Sequence, residues 1–146
     1  MFGSMELQPT FIPKALIEQT LTTKAETGKR LLQPLKDFSI GSNISFHILE
    51  DVEIENPPEV HMHEADLWIG IEGEVTFIVG GKLIDERSQI NSDGVINENE
   101  KTGLKIEGGA EYIVRAGDVL HIPAGVPHLH KAKGVARMHI IKIPRI

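Results

Sequence analysis

His61 and His63 flank a single methionine in the stretch Val60-His61-Met62-His63. In an extended strand, residues two apart project from the same face, so two imidazoles at this spacing can share one metal ion. Neutral imidazole is the commonest protein ligand for such ions. His128 and His130 repeat the two-residue spacing far along the chain. His47 and His139 sit in apolar runs and His121 precedes a turn, so each of these reads as a hydrogen-bonded structural histidine.

The surroundings of the two pairs carry more information than the pairs alone. Ten residues after His63 comes Gly73, inside the tight turn Glu72-Gly73-Glu74 between two apolar runs. His128 closes the stretch Gly117-Asp118-Val119-Leu120-His121-Ile122-Pro123-Ala124-Gly125-Val126-Pro127-His128. Together these resemble the two motifs of the cupin superfamily, G-x5-H-x-H-x3,4-E-x6-G and G-x5-P-x-G-x2-H-x3-N. Gly117, Pro123, Gly125 and His128 match the second motif, and His61, His63 and Gly73 match the first. Glu55 and Ala132 stand where the family has its opening glycine and final asparagine. The family's glutamate is replaced: counting back seven from Gly73 lands on Asp66.

The resemblance implies an all-β fold, a single cupin barrel (a double-stranded β-helix or jelly roll), binding one divalent transition metal. Its ligands by analogy are His61, His63, Asp66 and His128. Asp66 as a partner that orients a histidine, Asp66 as a capped turn residue, and Glu64 as the carboxylate in its place remain open. Three imidazoles and one carboxylate suit Fe, Mn, Ni, Co or Zn rather than calcium. Four protein ligands leave positions free for water, substrate or dioxygen.

The elements that must position these residues are mostly short strands. Ile44–Leu49, Val60–His63, Leu67–Ile71, Val75–Val79, Lys82–Ile84, Leu104–Ile106, Tyr112–Val114, Val119–Ile122 and Met138–Ile143 read as strands, with Gly and Pro turns between them. Many short strands with little helix indicate a sandwich or barrel. The barrel is expected over 38–146, with a polar surface loop or hairpin extension at 85–103 that lacks apolar anchors and is expected to be dispensable for folding. Residues 5–37 read as a short helix after Pro13 and then an extended arm, and residues 1–4 as an expression scar. The arm holds Leu16, Ile17, Leu21, Leu31, Leu32 and Leu35, apolar surface that must cover a sheet face of this chain or of a second copy. A homodimer is expected on that ground.

Within the barrel, Trp68 shares the strand parity of Asp66 and is expected to face the cavity. Trp68, His130 and Phe77 are the candidate substrate-binding residues, with Phe46, Ile48 and Val79 completing an apolar interior. Arg115 and Arg137 are the nearest candidates to clamp a carboxylate, although both read as surface residues. No residue declares itself as a catalytic acid, base or nucleophile.

Composition removes several classes of function. The chain has 146 residues, 21 acidic against 15 basic, and no cysteine. Disulfides, thiolate sites and cysteine nucleophiles are therefore absent, as is the Cys–Tyr crosslink of some thiol dioxygenases in the superfamily. A net charge of -6 with short, interrupted basic runs argues against nucleic-acid binding. No apolar run approaches the roughly 20 residues of a membrane helix, and no leader is visible, so a cytoplasmic location is expected. The expected function is a metal-dependent small-molecule enzyme, with an Fe(II)-type dioxygenase placed ahead of an isomerase or lyase. The alternative is a non-catalytic metal or small-molecule binding or sensor cupin.

Overall fold

The computed structural model describes residues 7–145; the expected scar at 1–4 lies outside them. The chain runs α1 (Lys14–Leu21), β1 (Gly28–Leu31), α2 (Leu35–Gly41), β2 (His47–Glu55), β3 (Glu59–His61), β4 (Glu64–Glu72), β5 (Glu74–Val79), β6 (Lys82–Ile84), β7 (Arg87–Ile90), β8 (Ile96–Thr102), β9 (Lys105–Glu107), β10 (Ala110–Arg115), β11 (Val119–Ile122) and β12 (His128–Pro144). Ten of the described strands, antiparallel in every pairing, form the cupin barrel that the two motifs imply, and β6 and β9 pair as a separate two-stranded sheet.

The long strand β12 is the spine. One of its edges pairs with β2, from Lys131↔Glu55 to Ile140↔His47. Its other edge pairs first with β5, His128↔Val79 to Lys131↔Thr76, and then with β4 from Arg137 onward. The change of partner coincides with a register shift between Ala132 and Val135. Gly73 sits against this irregularity at φ +66°, and a Cβ there would lie 2.0 Å from the Val135 carbonyl oxygen. That close approach is the physical reason for glycine at this motif position.

Alternation along the strands divides the side chains into two faces. Asp66, Trp68 and Gly70 on β4, Val75 and Phe77 on β5, and His128, His130 and Ala132 on β12 are buried. The barrel core comprises Leu49, Trp68, Val75, Phe77, Val114, Ile122, Met138 and Ile140, with Val79 against it. Phe46 and Ile48, expected in this interior, belong instead to a second apolar cluster. Ile48 is buried there with Leu32 and Leu35, and Leu16, Ile17, Leu21, Phe46 and Ile71 pack around them. Ile48 and Leu49 are neighbours on one strand, so one must face out if the other faces in.

That second cluster shows what the N-terminal segment does. Its helices lay their apolar residues on the outer sheet face of the same chain, and β1 extends the sheet by pairing with β2, Gly28↔Val52 to Leu31↔Leu49. The leucines that suggested a subunit contact thus already have a surface to cover. A second helix, α2, straddles the expected boundary at residue 37; the sequence pattern hid it because it is only seven residues long, and Gln33 Oε1 accepts from the Asp37 amide in its first turn at 3.0 Å.

Arg137, expected at the surface, is buried. Its guanidinium donates to Glu50 at 2.8 and 2.6 Å and to the carbonyls of Leu21 and Thr23 at 2.7 and 2.5 Å. Arg30 reaches the other Glu50 oxygen at 2.9 Å. Burial pushes the Glu50 carboxyl up, but hydrogen bonds from Arg137, the Glu26 amide and Arg30 outweigh it and hold the group below its ordinary value. The pair clamps the arm to β2. Arg137→Met should therefore cost about 1.5–3 kcal/mol, because it removes the bonds to one Glu50 oxygen while Arg30 still holds the other; urea denaturation measures this, and a loss under about 0.5 kcal/mol would mean that Arg30 alone satisfies the carboxylate. Arg115, by contrast, is exposed as expected and pairs with exposed Glu74 at 3.1 Å.

The polar stretch at 85–103 is a hairpin rather than an irregular loop. Its turn is built on Asp93-Gly94, with Gly94 at φ +84° and Asp93 Oδ1 accepting from the Val95 amide at 2.9 Å. The inner strand β8 pairs with β3 through Glu59↔Thr102, Val60↔Lys101 and His61↔Glu100. Among the described residues no helix is long and apolar enough to cross a membrane.

Candidate metal centre

The chain brings its ligand-type residues together through β3. That strand ends at His61, and the backbone bends at Met62-His63 before β4 begins at Glu64. Same-face spacing therefore joins Glu59 to His61, not His61 to His63. On the far side of the bend, β4 parity turns Asp66 inward. His128 is directly opposite Glu59 in the β12–β3 pairing. The Pro123–Val126 turn locks this arrangement, since the Gly125 amide donates to the His61 carbonyl at 2.8 Å and Gly125 takes φ +84°.

The donor atoms form a four-membered ring of contacts. His61 Nε2 is 3.4 Å from Glu59 Oε1 and 3.7 Å from Asp66 Oδ2. His128 Nε2 is 3.7 Å from Glu59 Oε1 and 3.4 Å from Asp66 Oδ2. Glu59, His61 and His128 each offer a ligand atom within 4.8 Å of the others'. His61 Nε2, His128 Nε2 and Asp66 Oδ2 are buried and lack hydrogen-bond partners. Ligands of a transition ion lie about 2.0–2.2 Å from it, which sets neighbouring ligands about 3.0–3.5 Å apart. The four edges of the ring fit that requirement after a small contraction, and the donors that all lie within 4.8 Å of one another are those of Glu59, His61 and His128.

Each imidazole keeps its other nitrogen occupied. His61 Nδ1 meets the Glu100 carboxylate, and His128 Nδ1 lies 3.0 Å from the Val126 carbonyl oxygen. Lys142 Nζ donates to Asp66 Oδ1 at 2.6 Å and leaves Oδ2 toward the histidines.

Charge in the ring is strongly coupled. Burial pushes His128 down, but Asp66, Glu59 and the Val126 carbonyl overcome it and lift the imidazole to about 9. His61 is also raised, its burial outweighed by Glu59 and Asp66 against the opposing Lys142 charge. Burial pushes both carboxyls up, but His128 and His61 at Glu59, and His128, Lys142 and His61 at Asp66, overcome it and hold the two groups below their ordinary values.

Of the four ligands expected from the motifs, the structure places His61, Asp66 and His128 together. His63 is exposed and stands outside this group. Glu59 takes part in its stead, and sequence reading passed over it although it precedes His61 by two residues on the same strand. Glu64 shares Asp66's parity but lies at the start of β4 opposite Pro144. Asp66→Asn should accordingly weaken metal binding at least ~10-fold, while Glu64→Gln leaves it unchanged; the reverse order in a metal titration would move the carboxylate to Glu64.

Trp68, Phe77 and His130 form one buried aromatic cluster, with ring centroids 5.1–5.4 Å apart. His130 Nδ1 lies 2.5 Å from Asp51 Oδ2, and Asn56 Nδ2 is 3.0 Å from the same nitrogen. Trp68 Nε1 is buried without a partner. His139 stacks on Phe46 at 4.6 Å, and His121 is exposed, so neither approaches the ring of donors.

No family model matches the sequence, and no curated protein does. The fold does match solved structures. The Escherichia coli ribosomal oxygenase YcfD aligns at TM-score 0.56 and 18% identity over 85% of this chain and 33% of that one. Protein NMB1881 from Neisseria meningitidis aligns at TM-score 0.53 and 11% identity over 90% and 99% of the two chains. An oxalate oxidase aligns at TM-score 0.52 and 18% identity over 86% and 57%. The chain thus spans one third of the ribosomal oxygenase and just over half of the oxalate oxidase. Barrel, motif residues and buried donor ring together define a protein of the cupin fold with a possible metal site.

Proposed function

We propose that this chain is a metallo-cupin that holds one divalent transition ion with Glu59, His61, Asp66 and His128 and oxidises a small polar organic molecule. The observation that carries the reading is the grouping of the Glu59, His61 and His128 donor atoms within 4.8 Å of one another, with the buried, unpartnered Asp66 Oδ2 3.4 Å from His128 Nε2. Two imidazoles with carboxylates are the donor set of many non-haem Fe(II) oxygenases, which favours Fe(II) or Mn(II) over Ni, Co or Zn. The fold matches to a ribosomal oxygenase and an oxalate oxidase support the same direction. When bound, such an ion supplies a Lewis-acidic centre with room for a substrate oxygen or dioxygen.

The chain's own residues then divide the work. Asp66 presents Oδ2 because Lys142 occupies Oδ1. Glu59 and His61, the more accessible members, form the side open to a ligand. Trp68, Phe77 and His130 exclude water from the barrel behind the centre.

The test is oxygen uptake by the Fe(II)-loaded chain against a panel of small hydroxy acids, dicarboxylates and phenols. Uptake above that of His61→Ala is expected with at least one class. A chain that binds the ion yet consumes no oxygen and converts nothing in the panel belongs to the alternative reading, a binding or sensor cupin.

A further inference from the structure

We propose that Glu100, on the hairpin strand β8, is a positioning residue of the metal centre that fixes the His61 ring so that Nε2, not Nδ1, faces the other ligands. The inference rests on the metal-binding reading above. Glu100 lies 39 residues from His61 in the sequence, yet the two are direct partners in the β3–β8 register. The Glu100 carboxylate accepts from His61 Nδ1, while His61 Nε2 is buried and unpartnered on the opposite side of the ring.

A half-turn of an imidazole about its Cβ–Cγ bond exchanges Nδ1 with Cδ2 and Nε2 with Cε1, and in the neutral ring only one nitrogen is a donor. A carboxylate on Nδ1 selects the tautomer with its proton there and leaves the Nε2 lone pair for a metal. The hairpin is itself held in place around this contact. The Met62 amide donates to the Asn99 carbonyl at 2.8 Å, and Thr102 Oγ1 donates to the Pro58 carbonyl at 3.0 Å. Two hydrogen bonds thus bracket His61, one on each side along β3. A stretch that reads as a polar surface extension is therefore part of the centre's support.

The experiment compares the full chain with Glu100→Ala and Glu100→Gln. Cobalt(II) titration should show binding weakened 10- to 100-fold in Glu100→Ala, and partly restored in Glu100→Gln, whose amide oxygen still accepts. The melting temperature of the metal-free chain should hardly move, because the Glu100 side chain is partly exposed. Nitrogen-15 NMR of the neutral His61 ring in the metal-free chain should show Nδ1 protonated in the parent and a tautomer mixture in Glu100→Ala. Cobalt affinity within twofold of the parent would overturn the proposal, as would an unchanged tautomer. A parent chain that binds no cobalt at all would instead sink the metal reading, and the tautomer measurement would still decide whether Glu100 orients His61.

Discussion

His128→Ala should strip the protein of its metal while leaving the barrel folded. In the proposed centre His128 has the least freedom to be replaced, being buried opposite Glu59 with Nε2 unpartnered between two carboxylates. Loss of an outer-shell partner alone typically costs 10- to 100-fold in metal affinity, so loss of a ligand should cost at least ~100-fold. His61→Ala should behave alike. The barrel survives because its apolar core, Trp68, Val75, Phe77, Met138 and their neighbours, does not depend on the donor ring. Elemental analysis of each purified variant, with far-UV and near-UV circular dichroism for the fold, makes the check. Undiminished metal in both variants would place the ion elsewhere.

Metal-free and metal-loaded protein should respond to pH in opposite directions. In the metal-free chain His128 is held at about 9 against 6.5 for an ordinary histidine. A raised folded-state value contributes stability that is fully present below about pH 6.5 and is lost as pH climbs through 9, on the order of 3 kcal/mol for such a rise. His61 shifts in the same direction and adds to the loss. A metal ion requires both imidazoles deprotonated, so its affinity should climb as pH rises, by about tenfold per unit for each proton displaced. Urea denaturation between pH 6.5 and 9 should therefore show declining stability with a chelator present and a growing increment from added metal. A metal increment that shrinks as pH rises would contradict the coupling of these histidines to the ion.

The sequence made the barrel legible because its punctuation is local. Gly73, Gly117, Pro123 and Gly125 mark turns whose geometry demands those residues, and the apolar strands between them alternate visibly. The donor set was legible only in part. Strand parity joins His61 to His63 if the strand continues, but β3 stops at His61, and one bend transfers the same-face relation to Glu59. Nothing in Met62-His63 announces that bend; it follows from the pairing of β3 with β8 and β12. The supports Glu100 and Lys142 come from elements 39 and 76 residues away from their partners, and no local period reports such contacts. Arg137 misled for a similar reason, since an arginine in a strand reads as exposed until its buried partner Glu50 is known.

The measurement that bears most directly on the metal centre is the ion content of the full chain beside that of a Glu59→Gln, Asp66→Asn double variant. Each is stripped with chelator, incubated anaerobically with Fe(II), Mn(II) or Zn(II), desalted and analysed for metal. The expected result is about one ion per parent chain for at least one of these metals and only background in the double variant. A parent chain that retains none of the three, or a double variant that retains as much as the parent, would contradict a centre built on Glu59, His61, Asp66 and His128.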